Sequence, residues 1–301
     1  MPKVIAVCNQ KGGVGKTTTA VNLASALALD GTRTLLVDLD PQANATGGLG
    51  IDKKSLKGSI YQVLLNEEFP VESVILPTQI QNLSLLPSQM DLSGAEVELV
   101  QISSEREFCL KKTLAPVRAS YDLILIDGPP SLGLLTINAL AAADSVLIPL
   151  QCEYYALEGL SQLLETIRLV QQSLNVGLTV EGVLLTMADF RTRLTSDVIE
   201  EARRFFGSKI YDVVIPRSVR LSEAPSRGQP IALYDPSSSG AQSYYKLAQR
   251  VKENLNVRNE RIGERNSGAD TGGKPSLEDR SHQGPVEGNP AEPIPAPEES
   301  R

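Results

Sequence analysis

The ten residues Asn9-Gln10-Lys11-Gly12-Gly13-Val14-Gly15-Lys16-Thr17-Thr18 constrain this chain more than any other stretch. They follow an apolar run directly and open a helical pattern, so three glycines and two lysines stand where a strand turns into a helix. Gly12, Gly13 and Gly15 let the backbone wrap closely with its N–H groups turned inward. A helix that begins at Thr17 adds its positive end, and the whole is built to receive phosphate. The standard spacing is Gly, four residues, then Gly-Lys-Ser/Thr. Gln10 occupies the place of the first glycine, so the strict pattern fails while the mechanics survive. Lys16 is expected to reach the outer phosphates, and the Thr17 hydroxyl is placed to ligate magnesium. The Gly-Gly turn directs Lys11 away from its own loop, so a second subunit's nucleotide is the expected target. A solvated loop lysine is the competing reading.

The periodicity around this loop sets the fold class. Lys3–Cys8, Thr34–Val37, Leu83–Leu86, Leu123–Ile126, Val146–Leu150, Val183–Thr186 and Val213–Ile215 read as strands buried on both faces. Thr17–Leu29, Ser131–Ala142, Ala156–Ser173, Ser196–Phe206 and Gly240–Leu255 read as helices between and after them. Such alternation predicts an α/β protein, a mostly parallel sheet with helices on both faces in three layers. Ligands of such sheets sit beyond the carboxyl ends of the strands.

Two acidic strand ends lie there. Val37-Asp38-Leu39-Asp40-Pro41 carries two carboxylates, with Asp40 past the buried run. Leu123–Ile126 leads into Asp127-Gly128-Pro129-Pro130, and an aspartate at that tip is placed to hold magnesium through water. Singly, either is more commonly a cap or turn residue; beside the glycine loop the functional reading prevails. Asp38 is open between ligand and buttress.

Composition excludes other classes. With 29 basic and 36 acidic side chains the net charge is −7, so nucleic acid cannot be held by bulk charge and needs a local basic patch. Cys8, Cys109 and Cys152 have no short ligand spacing, which fits a reducing cytoplasm better than a disulfide or zinc scaffold. No leader or membrane-spanning run is found in the sequence. Arg258–Arg301 has six Gly, six Pro, no aromatics and a net charge of −3, too little apolar surface to offset the entropy of ordering. Residues 1–257 are therefore read as one folded domain and 258–301 as a disordered tail.

These residues resemble the ParA/Soj family of partition ATPases, within the deviant Walker A group of P-loop NTPases that includes MinD and the nitrogenase iron protein. The resemblance rests on Lys11–Thr18, Val37–Thr46, Leu123–Ser131, Val146–Leu160 and Val214–Ile231, and covers 1–257 but not the tail. It implies an ATPase of slow intrinsic turnover that needs ATP and Mg2+ and closes as an ATP-sandwich homodimer. It implies that Lys11 crosses that dimer, that Lys16 binds the β- and γ-phosphates and that Thr17 coordinates magnesium. Asp40 would position the attacking water near the metal, Asp127 would hold the metal shell through water, and Pro216 would pack near the adenine. Gly128 stands where the family usually has Ala or Cys, which suggests a looser switch. The implied partners are a ParB-type centromere-binding protein, which triggers hydrolysis, and double-stranded DNA bound without sequence preference. The implied location is cytoplasmic and nucleoid-associated.

DNA binding needs cations, and Thr186–Ile231 holds eight basic against six acidic residues, a modest enrichment. Arg217 and Arg220, with Arg191, are the candidate phosphate contacts; a solvated helix face would give the same count. The main alternative is a MinD-like ATPase that positions a division or other cargo, for which a C-terminal amphipathic helix would seek membrane. Tyr244, Leu247, Val251 and Leu255 have helical spacing there and are expected to dock on the sheet instead. A nitrogenase-like carrier lacks its cluster cysteines, and a non-hydrolysing scaffold is disfavoured because Asp40 and Asp127 are both present.

Overall fold

The computed structural model describes residues 2–267 other than 103 and 154–159, with side chains as far as Leu255. Two units are distinguished, Met1–Leu255 and Asn256–Arg301, and the site lies in the first. Its strands are β1 (Lys3–Val7), β2 (Thr34–Asp38), β3 (Leu76–Pro77), β4 (Leu83–Leu86), β5 (Leu123–Asp127), β6 (Ser145–Gln151), β7 (Thr179–Ala188) and β8 (Ile210–Pro216). The helices of the first half are α1 (Lys16–Leu29), α2 (Asn44–Gly48), α3 (Ile60–Leu65), α4 (Leu92–Gln101) and α5 (Cys109–Leu114). Those of the second are α6 (Leu134–Ala142), α7 (Leu160–Ser173), α8 (Arg193–Phe206), α9 (Val219–Glu223), α10 (Ile231–Tyr234) and α11 (Ser239–Ser267).

The strands form one sheet in the order β3-β4-β2-β5-β1-β6-β7-β8. Every pairing is parallel except β3 with β4. That exception suits the residues: Pro77 offers no N–H, and an edge strand is where a sheet tolerates it. Each residue of β1, β2 and β5 is buried, and between their polar ends the strands are aliphatic, as a sheet covered by helices on both faces requires. In α7, Leu160, Leu163, Ile167 and Val170 supply the buried stripe at helical spacing.

The first half differs most from expectation. Between Leu29 and Ser131 the sequence suggests only a polar helix around Cys109, at 105–112; α5 lies there, while α2, α3 and α4 are not foreshadowed by the apolar pattern. Their short lengths give few repeats of the apolar period, so packing rather than pattern decides them. At the other end, the backbone of α11 continues from the expected end at Leu255 to Ser267, into the stretch read as a tail. Arg258–Ser267 has a single Gly and no Pro, so the helix-breaking composition is confined to residues 268–301. Those residues lie outside the described ones. Tyr244, Leu247 and Val251 of α11 are buried in the main core, and Leu255 packs against it, which leaves these residues no free apolar face for a membrane. No helix among the described residues is long and apolar enough to cross one.

Candidate active site

The site assembles where β1, β2 and β5 end side by side. Parallel register sets Val7 and Asp38 each opposite Asp127, so the glycine loop and both acidic ends emerge at one point. Asn9, buried behind the loop, donates from Nδ2 to Pro149 O on β6 at 2.8 Å and accepts from Lys11 N at 3.0 Å. The loop is thus tied to its neighbouring strand before it turns. Gly13 (φ 76°) and Gly15 (φ 89°) take left-handed backbone, which side chains other than glycine adopt at a cost. The far wall is β7, where Thr186 Oγ1 donates to Val14 O at 2.9 Å.

The two lysines of the loop separate as their positions suggest. Lys16 is buried, with Nζ donating to the Lys11 carbonyl at 3.1 Å. Burial lowers its pKa, and the charges of Asp127, Cys8 and Asp40 work the other way. Lys11 is half-exposed, its Nζ 3.6 Å from Glu153 Oε2. Its side chain therefore points to the end of β6 and not to Lys16.

The three aspartates have different surroundings. Asp38 is fully buried and saturated: Oδ2 accepts from Thr46 N at 2.8 Å and Thr46 Oγ1 at 2.7 Å, and Oδ1 accepts from Asp40 N at 3.3 Å. Burial raises its pKa to about 6 against the pull of those donors. Asp40 is buried too, and its Oδ1 accepts from Gln42 N at 2.9 Å. Both oxygens of Asp127 are buried with no hydrogen-bond partner among the described residues. Burial first, then the negative charge of Asp38, raises the Asp127 pKa well above the carboxylate range. The Thr17 hydroxyl and the charge of Lys16 pull it down, while the charge of Asp40 adds to the rise.

Residues without an assigned role in the sequence complete the frame. Ser88, just past β4, donates from Oγ to the Asp40 carbonyl at 2.8 Å and from N to Thr46 Oγ1 at 3.0 Å. Thr46 then passes a hydroxyl to Asp38, so Ser88, Thr46, Asp38 and Asp40 form one buried network. Replacing Thr46 by Val should remove two of its bonds and strand the Ser88 N–H. We expect a loss of about 2–4 kcal/mol in urea unfolding; a change near zero would mean the network carries no stability. Asn22 joins the loop helix to the C-terminal segment, donating to Thr18 O at 2.8 Å and accepting from Ile231 N at 2.7 Å. Gly128 sits close to β1. Its N–H donates to Val7 O at 3.2 Å, and a Cβ there would lie 3.1 Å from Cys8 Sγ.

The remaining expected residues lie further out. Pro216 ends β8 opposite Ala188, near the strand end that contacts the loop: Gly15 would bring a Cβ 3.8 Å from Met187 Cε. A cleft of about 430 Å3 opens on the other flank of α1, between Thr17, Thr18, Lys53 and Pro230, and Pro216 is not among its lining residues. Arg191, Arg217 and Arg220 are exposed and each faces a carboxylate. Arg191 pairs with Asp189 at 2.6 Å, Arg217 with Glu153 at 3.8 Å, and Arg220 with Glu223 at 3.1 Å and Asp235 at 3.6 Å.

Comparison with known proteins finds relatives along nearly the whole of the first unit. An AAA domain family model matches residues 2–180. The sporulation initiation inhibitor protein Soj of Bacillus subtilis is 58% identical over 254 residues, covering 84% of this chain and 100% of that protein. The chromosome partitioning protein ParA of Myxococcus xanthus is 57% identical over 249 residues, 83% of this chain and 87% of its own. A crystal structure described as cobyrinic acid a,c-diamide synthase of Mycobacterium smegmatis, with bound ATP analogue and magnesium, superposes with a TM-score of 0.73 at 39% identity. It covers 83% of this chain and 93% of that one.

Proposed function

This chain belongs to the ParA/Soj family of chromosome-partitioning ATPases, and from that premise we propose that it alternates between separate subunits and an ATP-bound dimer that holds DNA. ATP and Mg2+ are its cofactors. The observation that carries the reading is the pair of unpartnered Asp127 oxygens buried beneath the glycine loop, beside Lys16 and the Thr17 hydroxyl. A carboxylate left without donors in a buried place fits the water shell of a divalent cation, so the donor set suits magnesium. Thr17 would hold the ion directly and Asp127 through water. When bound, magnesium supplies positive charge to the phosphates.

The side chains of this chain do the rest. The loop N–H groups and the start of α1 bind the phosphates, with Gly12, Gly13, Val14, Gly15 and Thr18 lining their path and Lys16 facing the outer ones. Pro216 supports the adenine from the β7–β8 side. Asp40 orients the attacking water, and Ser88 and Thr46 fix the backbone that carries it. No covalent intermediate is needed; turnover without a partner is slow, and a ParB-type protein that orders the Asp40 and Asp127 segments would speed it. Phosphates of DNA would replace the carboxylates that Arg191, Arg217 and Arg220 face now, an exchange made easy by the small net worth of exposed ion pairs. Two subunits double the cation count, which ties DNA affinity to ATP and makes it fall steeply with salt. The cell-level consequence is association with the nucleoid.

Asp40→Ala tests the cycle. With ATP and magnesium the variant should stay on DNA in a sedimentation assay while the wild type is released as ATP is consumed. Release at the wild-type rate would contradict the role given to Asp40.

A further inference from the structure

Glu153 stands at the meeting point of two segments that the proposed cycle uses separately. It lies two residues past the end of β6, with its N–H on Gln151 O at 2.8 Å and the Gln151 side-chain amide donating to Oε1. Oε2 is 3.6 Å from Lys11 Nζ, and Oε1 is 3.8 Å from an Arg217 terminal nitrogen. One carboxylate thereby faces the glycine-loop lysine that follows β1 and the arginine that follows β8. The sheet order explains the convergence: β6 lies between β1 and β7, and Arg217 N donates to Ala188 O as β8 leaves the sheet. Both cations are partly exposed, Lys11 at 38% and Arg217 at 59% of their side-chain surface. Neither is buried in place, so each can be taken by a stronger anion.

We propose that Glu153 is a positioning residue that restrains Lys11 and Arg217 in the separate subunit, so that both must leave the same carboxylate before one reaches a nucleotide and the other DNA. This rests on the crossing role proposed above for Lys11. An exposed ion pair is weak, so the restraint is a bias and not a lock. Because a dimer would draw one Lys11 from each subunit, the bias enters its association constant twice. The same carboxylate gives the two cations a common holding point, and the departure of either leaves the other's partner less shared.

The test uses the full chain with magnesium and a hydrolysis-resistant ATP analogue, followed by sedimentation equilibrium. Glu153→Gln keeps the shape and removes the charge. The expected result is tighter dimerisation, roughly two- to fivefold for each lysine released and so about four- to 25-fold overall. The gain should shrink at about 1 M salt, where exposed charges are screened, a dependence that a merely structural role would not produce. With ADP, retention of the same variant on DNA should rise about two- to fivefold and return to the wild-type level when Arg217→Ala is added. Unchanged or weaker dimerisation of Glu153→Gln overturns the restraint, as does an unchanged ADP-state retention for its Arg217 half. Wild-type protein and Lys11→Ala run in parallel separate the two claims. If wild type stays monomeric, or Lys11→Ala dimerises normally, the crossing role has failed and the restraint falls with it. If both behave as proposed and only Glu153→Gln is silent, the restraint alone is wrong.

Discussion

Asp127→Asn is expected to lower ATP turnover by at least about 10- to 100-fold while leaving the nucleotide-free protein as stable as wild type or more so. The two effects share one cause. The Asp127 oxygens are buried without donors, so in the empty protein the ionised form is a burden that an amide relieves. The same ionised form is what a magnesium shell needs. The pH dependence follows from the direction of the shifts. Asp127 and Asp38 both titrate above their ordinary range, Asp38 at about 6, whereas an unfolded aspartate titrates near roughly 3.9. Between those values the folded state binds more protons, so nucleotide-free stability is full below about pH 4 and declines as pH rises through about 6. Asn at 127 should flatten that decline, leaving the Asp38 part. Thermal unfolding from pH 4 to 8 without nucleotide, with phosphate release measured alongside, checks both. A variant that is less stable yet hydrolyses normally would make Asp127 a structural residue.

Lys11→Ala should keep ATP affinity and lose dimerisation. The expectation rests on how the surroundings of the two lysines differ. Lys16 is the buried one, fixed on the loop's own backbone, whereas Lys11 extends to Glu153 at the end of β6. A cation that meets a partner's phosphate in a closing interface is desolvated there, and losing one such contact typically costs 2–5 kcal/mol, or about 30-fold or more in association. Light scattering with the hydrolysis-resistant analogue reads the loss, and fluorescent nucleotide titration reads the retained affinity. Loss of nucleotide binding itself would place Lys11 in its own site instead.

What the sequence shows here is what short range determines. The glycine loop is legible because its pattern is written in consecutive residues, and β1, β2 and β5 because strands buried on both faces are aliphatic along most of their length. Asp38 and Asp127 stand out at the ends of those runs, but only the folded backbone, which brings Thr46 onto Asp38 and no such donor onto Asp127, distinguishes the saturated carboxylate from the orphaned one. Ser88 is illegible for the same reason. It lies far along the chain from Asp40 and Thr46, and nothing local marks a serine that closes a network across two strands. Glu153 lies in a segment whose resemblance is plain, yet its two cations come from loops on either side of it in the sheet. Gly128 reads alone as conformational freedom, whereas the structure adds a close approach to Cys8 that no local pattern marks. The arginines of 191–220 were legible as charge but not as charge already paired.

Sedimentation velocity of the wild-type chain with magnesium and a hydrolysis-resistant ATP analogue, set against the same protein with ADP, addresses the ATP-driven dimer most directly. A species of twice the subunit mass with the analogue and single subunits with ADP is the predicted result. Single subunits in both, at concentrations where the analogue saturates the glycine loop, would contradict it.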